Sequence, residues 1–292
     1  MARVLPAWTD KQKSELERLR ALWLFQAIDR VNPPLLKELL AAKDHRVRAA
    51  ATRVLSWWSQ WLEGSRELLA ERSRDAHPRV RLEALRGLAR TPSAESAELI
   101  LAVTDQPMDR FVEYAAWLSV NDVADAWVTA IEAGQWQPEG RAQQLAFGLR
   151  SIPADKAARV LGKLLPEKLA AEGSGSWIEI IGAAGGAAEL DRLYTQTLAK
   201  GFNPAATARA LNALNDAARN RDLRPAGDLA KVTTFFAAQS GEVRLASLRL
   251  AGAWKDLKGN LEPIVKVAAA PATPEAERQI AFQSLREIGG AP

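Results

Sequence analysis

Asp44-His45-Arg46-Val47-Arg48-Ala49-Ala50-Ala51 is a phrase that this chain repeats. It returns as His77-Pro78-Arg79-Val80-Arg81-Leu82-Glu83-Ala84 and as Gly241-Glu242-Val243-Arg244-Leu245-Ala246-Ser247-Leu248. An apolar residue, an arginine, a small residue three positions after the arginine and an apolar residue four beyond that recur. Aligned on the first apolar position, Val47 leads to Ala51 and Leu55, and Val80 to Ala84 and Leu88. Steps of four stay on one helical face. Weaker copies start at Phe111 (Ala115), Ala206 (Ala210, Leu214) and Glu277 (Arg278, Ala281, Leu285). The intervals 47→80, 80→111, 206→243 and 243→277 are 33, 31, 37 and 34 residues. Self-similarity of that period predicts stacked helix pairs, each burying its apolar face against its neighbours.

Composition narrows the chemistry. With no cysteine there is no disulfide, thiol nucleophile, cysteine zinc site or CxxCH haem attachment in these 292 residues. The only two histidines, His45 and His77, leave little material for a metal site or a histidine base. Both fall in turns before a repeat helix, where satisfying backbone groups or facing water is the expected role. No apolar run reaches the length of a membrane span. The opening residues Met1–Pro6 lack the apolar core of an export signal, so no signal peptide is expected in the chain as given. The net charge of +4 is uneven: residues 1–90 carry 18 Lys+Arg against 11 Asp+Glu, and the remainder 21 against 24.

Along the chain, residues 1–9 read as a tether, and Asp10 as the cap of a long helix with Leu16, Leu19, Trp23 and Ile28 along one stripe. Asn32-Pro33-Pro34 breaks it, and Asp44 caps the first clear repeat helix, which runs towards Trp61. Turns marked by proline, glycine and serine follow every 10–20 residues, giving about seventeen helices. The β-branched run Trp177–Ile181 fits a short buried helix better than a strand. Between Ala115 and Ala206 the phrase fades. The glycines of Gly173–Ser176 and Gly182–Gly186 make residues 170–186 the expected place for a bend in one solenoid over 10–292. Gly182–Gly186 lacks the Lys-Ser/Thr of a P-loop and the strand of a dinucleotide fold, so it reads as a helix stop with close packing.

These residues resemble HEAT repeats, whose second helix carries a turn aspartate followed by Val-Arg and a small residue. The version at Asp44/Arg48 is intact, that at Asp75/Arg81 is shifted, and Glu242 stands in for the aspartate before Arg244. The resemblance implies an all-α fold, a HEAT/armadillo-like α-solenoid wound as a right-handed superhelix of about eight helix pairs. A narrower resemblance joins Ala21-Leu22-Trp23, the 77–84 block, Asp109–Tyr114 and Val243–Gly252 with Trp254-Lys255. It is to the HEAT region of large dehydrogenase-like proteins of planctomycetes and verrucomicrobia. In that family a β-propeller precedes the array and a c-type cytochrome follows it. The resemblance covers nearly all of this chain but only that middle region, so no redox residue carries over. It implies a non-catalytic spacer or docking segment of an exported redox assembly, periplasmic if it belongs there, with propeller and cytochrome domains as partners and no cofactor of its own.

Within this frame the arginines Arg48, Arg81, Arg244 and Arg278 read as a structural ladder between turns, with Asp44, Asp75 or Glu242 as acceptors. An anion-binding stripe is the functional alternative. Trp57 and Trp61 share a helical face while Trp58 points about 100° away. With Arg79 and Arg86 these three form the candidate partner-binding set, since interfaces concentrate energy in Trp and Arg. End-cap packing is the competing role for the rings. The arginines 46, 48, 53, 79, 81, 86 and 90 also permit a nucleic-acid groove. In HEAT-like alkylpurine DNA glycosylases such a surface holds a catalytic acid, for which Asp75 or Asp109 would be the candidates. The small net charge and acidic second half oppose a long phosphate track.

Overall fold

The computed structural model describes residues 5–257 and 259–289. Among them are seventeen α-helices, three short 3-10 segments and no strand. The chain separates into two compact units, residues 1–156 and 157–292. The expected join at 170–186 lies inside the second.

In the first unit, α1 (Leu5–Thr9) is one helical turn whose Leu5 and Thr9 are buried. The described part of the expected tether is therefore helix; residues 1–4 lie outside the described residues. The following helix starts later than Asp10 suggests. α2 (Glu15–Ala27) is capped by Ser14, whose side chain accepts from Glu17 N–H while the Glu17 carboxylate accepts from Ser14 N–H. Asp10 lacks this reciprocal pair, and a capping box satisfies two orphan donors at once. The buried face of α2 is Leu19, Ala21, Leu22 and Phe25. Leu16 and Trp23, expected on that face, are 52% and 45% exposed.

The helices α3 (Pro33–Leu40), α5 (Ser65–Arg72) and α7 (Ala94–Leu101) back α4 (His45–Trp58), α6 (Pro78–Leu88) and α8 (Arg110–Asp122) respectively. α2, α4, α6, α8 and α10 (Ala142–Ser151) pack successively side by side. The phrase supplies the contact: Val47, Ala51 and Leu55 are at most 4% exposed, and Val80, Ala84 and Leu88 are fully buried. α4 ends at Trp58 rather than nearer Trp61. In α8 the register differs by one from the sequence reading, because Val112, Ala116 and Val120 are fully buried while Phe111 is 58% exposed. Glu113 then occupies the arginine position, which is why the phrase fades here.

In the second unit, α12 (Trp177–Ala184), α14 (Pro204–Arg221), α15 (Gly241–Trp254) and α17 (Glu275–Ile288) pack in succession. They are backed by α13 (Ala187–Leu198), a 3-10 segment at Leu229–Ala237 and α16 (Glu262–Ala269). Trp177–Ile181 is helical, and α12 runs through Gly182. A Cβ at Gly182 would lie 2.7 Å from Ala213 Cβ, so the glycine lets α12 and α14 approach closely. Trp254, fully buried, meets Tyr194 edge to face at 4.9 Å.

Candidate protein-interaction face

The arginines of the phrase clamp successive repeats. Arg48 binds Asp75 bidentately at 2.8 and 2.9 Å and donates to the carbonyls of Ala42 and Lys43 at 2.9 Å each. Asp75 also accepts the His77 N–H. Burial pushes the Asp75 carboxyl up, but the bonds from Arg48 and His77 outweigh it and hold it below its ordinary value. Arg244 repeats the arrangement with Glu277 at 2.7–3.0 Å and with the carbonyls of Ala238 and Gln239. Arg81 is buried and reaches only carbonyls: Asp75, Ala76 and Pro107.

The acceptors match the expected ones in part. Only the carboxylates bridge to the following repeat: Asp75, among the expected acceptors, serves Arg48, while Glu277 rather than the exposed Glu242 serves Arg244. Asp44 caps α4 and pairs with Arg46, which pulls its carboxyl down to about 2. Arg278 pairs with Glu275 within its own helix and makes no bridge between repeats among the described residues.

The three tryptophans divide. Trp58 is fully buried, so it is part of the core and not of a docking surface. Counted from Val47 it stands eleven residues on, at the end of the buried stripe. Trp57 and Trp61 are 48% and 61% exposed. Arg90 lies over the Trp57 ring at 5.5 Å. Arg79 is exposed and Arg86 is half-buried, the latter bonded to Asp122 at 2.7 Å and Ser119 at 3.1 Å. Arg79 is thus available to a partner, whereas Arg86 is committed within the fold.

Around these residues the structure gathers a wider face than the sequence indicated. Arg46, Ala50, Arg53 and Trp57 run along α4, while Arg79, Glu83, Arg86 and Arg90 follow the same spacing on α6 and just past it. Phe111, Tyr114 and Trp117 are exposed on α8. Tyr114 and Trp117 stack at 5.8 Å, and Arg110 covers Phe111 at 4.6 Å. A cleft of about 650 Å³ opens between α2, α4 and α6, with Leu16, Leu19 and Trp23 on one wall. A hollow of about 350 Å³ between α6 and α8 shares Arg79 and Glu83 with it. Glu83 forms this shared floor, and burial raises its pKa. Of these rings only Phe111 enters the sequence pattern, as the first apolar position of a weaker copy, and it faces outward.

His45 and His77, far apart in sequence, stack with ring centroids 3.6 Å apart where α4 and α6 begin. His77 Nδ1 accepts the Arg79 N–H as the cap of α6. Of the two candidate glycosylase acids, Asp75 is clamped by Arg48, and Asp109 caps α8 through the N–H groups of Phe111 and Val112. Among the described residues no three His, Asp or Glu side chains are grouped to hold a metal ion. No helix among them is long and apolar enough to cross a membrane.

The family profile of HEAT repeats matches residues 31–121, which span α3 to α8. Comparison with curated proteins finds no match. Among solved structures, an engineered protein is 16% identical, covering 87% of this chain and 94% of its own, with a TM-score of 0.30. A second engineered protein is 20% identical, covering 87% of this chain and 77% of its own, at a TM-score of 0.30. A designed armadillo repeat protein is 14% identical over 87% of this chain and 99% of its own, again at 0.30. The all-helical repeat scaffold stands on the helices and their packing described above.

Proposed function

We propose that this chain is a non-catalytic interaction module whose first unit docks a partner protein through the face of α4, α6 and α8. The observation that carries the reading is the exposure of Trp57, Trp61 and Phe111 beside arginines at matching register positions of α4 and α6, with Tyr114 and Trp117 exposed further along α8. Exposed aromatic rings beside arginines are the composition of interface hot spots. The partners, on the sequence resemblance, are the propeller and c-type cytochrome domains of an exported dehydrogenase assembly, which would place the chain in the periplasm. The test is calorimetric titration of the full chain with a propeller domain of that family. Trp57→Ala with Trp61→Ala should weaken binding by about 2 kcal/mol or more if these rings are hot spots, with helicity unchanged. Unchanged affinity in a folded double variant would move the docking site elsewhere, and tight double-stranded DNA binding at physiological salt would replace a protein partner with a nucleic acid.

A further inference from the structure

We propose that the cleft between α2, α4 and α6 takes an extended, acidic segment of the partner, which seats one apolar side chain between Leu16, Trp23 and Ala50 and sets carboxylates against Arg79 and the arginines beyond it. This rests on the interaction-module reading and specifies the chemistry of its ligand. Three features of the cleft carry it.

The first is shape. Ala50 occupies the position on α4 where α6 carries Glu83, and its small side chain leaves the space that Leu16 and Trp23 wall in. A cleft of about 650 Å³ exceeds what one side chain needs, and it continues past Arg79 into the 350 Å³ hollow beside Phe111. Neighbouring helices lie about 9 Å apart, so a path from α2 to α8 is roughly 27 Å long. About eight extended residues span that distance.

The second is charge. This face presents Arg46, Arg53, Arg79, Arg86, Arg90 and Arg110 against Glu15, Asp44, Glu83, Asp109 and Asp122, of which Glu15 and Asp109 accept backbone N–H groups. Asp44 is taken by Arg46 and Asp122 by Arg86. Arg79, Arg90 and Arg110 make no carboxylate ion pair among the described residues, which leaves a surplus of positive charge along the path. Complementary carboxylates on a partner would steer and align it there.

The third distinguishes a polypeptide from a polyanion. Glu83 lies on the shared floor with Arg53 Nε at 3.5 Å, its side chain 15% exposed. It wants a donor, and an extended polypeptide brings N–H groups as well as carboxylates. A phosphodiester backbone brings only acceptors and has no donor for Glu83. The N-termini of α4 and α8, where phosphate would otherwise bind, are already capped by Asp44 and Asp109.

The experiment pans a phage-displayed library of random peptides, about twelve residues long to exceed that span, against the full folded chain. Selected peptides are then synthesised and titrated by fluorescence anisotropy. The proposal expects a consensus of acidic residues around an apolar anchor. Its affinity should fall tenfold or more in Ala50→Trp, which fills the cleft, and in Arg79→Glu with Arg110→Glu. Circular dichroism checks that the variants keep their helices. A basic consensus, or acidic peptides that bind Ala50→Trp undiminished, would overturn it. If no peptide is selected while the propeller domain still binds through Trp57 and Trp61, the segment proposal fails and the interaction-module reading stands. If neither binds, both fail.

Discussion

The two units are built on the same buried phrase but show different faces to the outside. Take the residue before the first buried position of the phrase and those four, seven and eleven further on, all of them at least partly exposed except Ala115 and Ala246. In the first unit these are Arg46, Ala50, Arg53 and Trp57, then Arg79, Glu83, Arg86 and Arg90, then Phe111, Ala115, Leu118 and Asp122. In the second they are Ala205, Arg209, Asn212 and Asp216, then Glu242, Ala246, Arg249 and Ala253, then Ala276, Ile280, Gln283 and Glu287. Five arginines and two aromatic rings stand against two acids in the first set; two arginines stand against three acids in the second, with no ring. The second set is also more nearly closed on itself: Glu179 binds Arg209 at 2.7 and 2.9 Å, and Arg219 reaches Glu287 at 2.7 Å. Of eleven exposed large apolar side chains among the described residues, nine lie before residue 157, leaving Val265 and Phe282 in the second unit. The second unit does hold a groove of about 510 Å³ between Thr197 and Val243, but no exposed aromatic ring lines it. Repetition fixes the core, and the positions facing outward are free to specialise.

If the cores are equivalent, matched substitutions should cost the same in each unit. The largest effect is expected for Trp58→Ala and Trp254→Ala, both fully buried, at about 3–5 kcal/mol each by denaturant unfolding. A near-neutral Trp58→Ala would return that ring to the surface and undo the division between Trp57 and Trp58. Next come Arg48→Ala and Arg244→Ala. Each removes the bidentate partner of a largely buried carboxylate, Asp75 or Glu277, at a cost of about 3 kcal/mol. A large cost in one unit alone would show that the ladder is not shared. Ala84→Leu should then cost about 1–3 kcal/mol by overpacking where Ala84 is fully buried.

Acid should separate the units. Burial, and then the neighbouring His45, lower the pKa of His77 below its ordinary 6.5, with Asp75 opposing. The unfolded chain therefore takes up this proton first. The stabilising contribution is complete above the ordinary value and is lost as pH falls through the lower folded one. Hydrogen exchange followed from pH 7 to about pH 5 should show α4 and α6 opening more readily, without a matching histidine effect in the second unit, where no histidine exists. His77→Asn, a cap that does not titrate, should flatten the response. An unchanged slope in that variant would assign it to other groups. The smallest stability effect is expected for Trp57→Ala and Trp61→Ala, each within about 0.5 kcal/mol because the rings are exposed.

What the sequence made legible follows from what periodicity can detect. Val47-Ala51-Leu55 and Val80-Ala84-Leu88 combine step, size and hydrophobicity, and all are buried. Phe111 satisfied the same apolar test but faces outward, because a ring on a docking face and a ring in a core look alike in one dimension. The start of α2 was readable from Ser14 and Glu17 as a capping box, a local signal that the earlier Asp10 obscured. Ladder acceptors were harder, since Arg48–Asp75 and Arg244–Glu277 join residues 27 and 33 apart. Their direction depends on how one repeat lies on the next. The cleft was out of reach for the same reason: Trp23, Ala50 and Glu83 meet only after α2, α4 and α6 pack.

The central claim, that partner binding belongs to the first unit's outward face, is tested most directly by hydrogen exchange on the full chain with and without a saturating propeller domain of the resembled family. The account predicts new protection in α4, α6 and α8, centred on residues 45–58, 78–90 and 110–122, and none in α14, α15 or α17. Protection confined to the second unit, or none anywhere in the first, would contradict it.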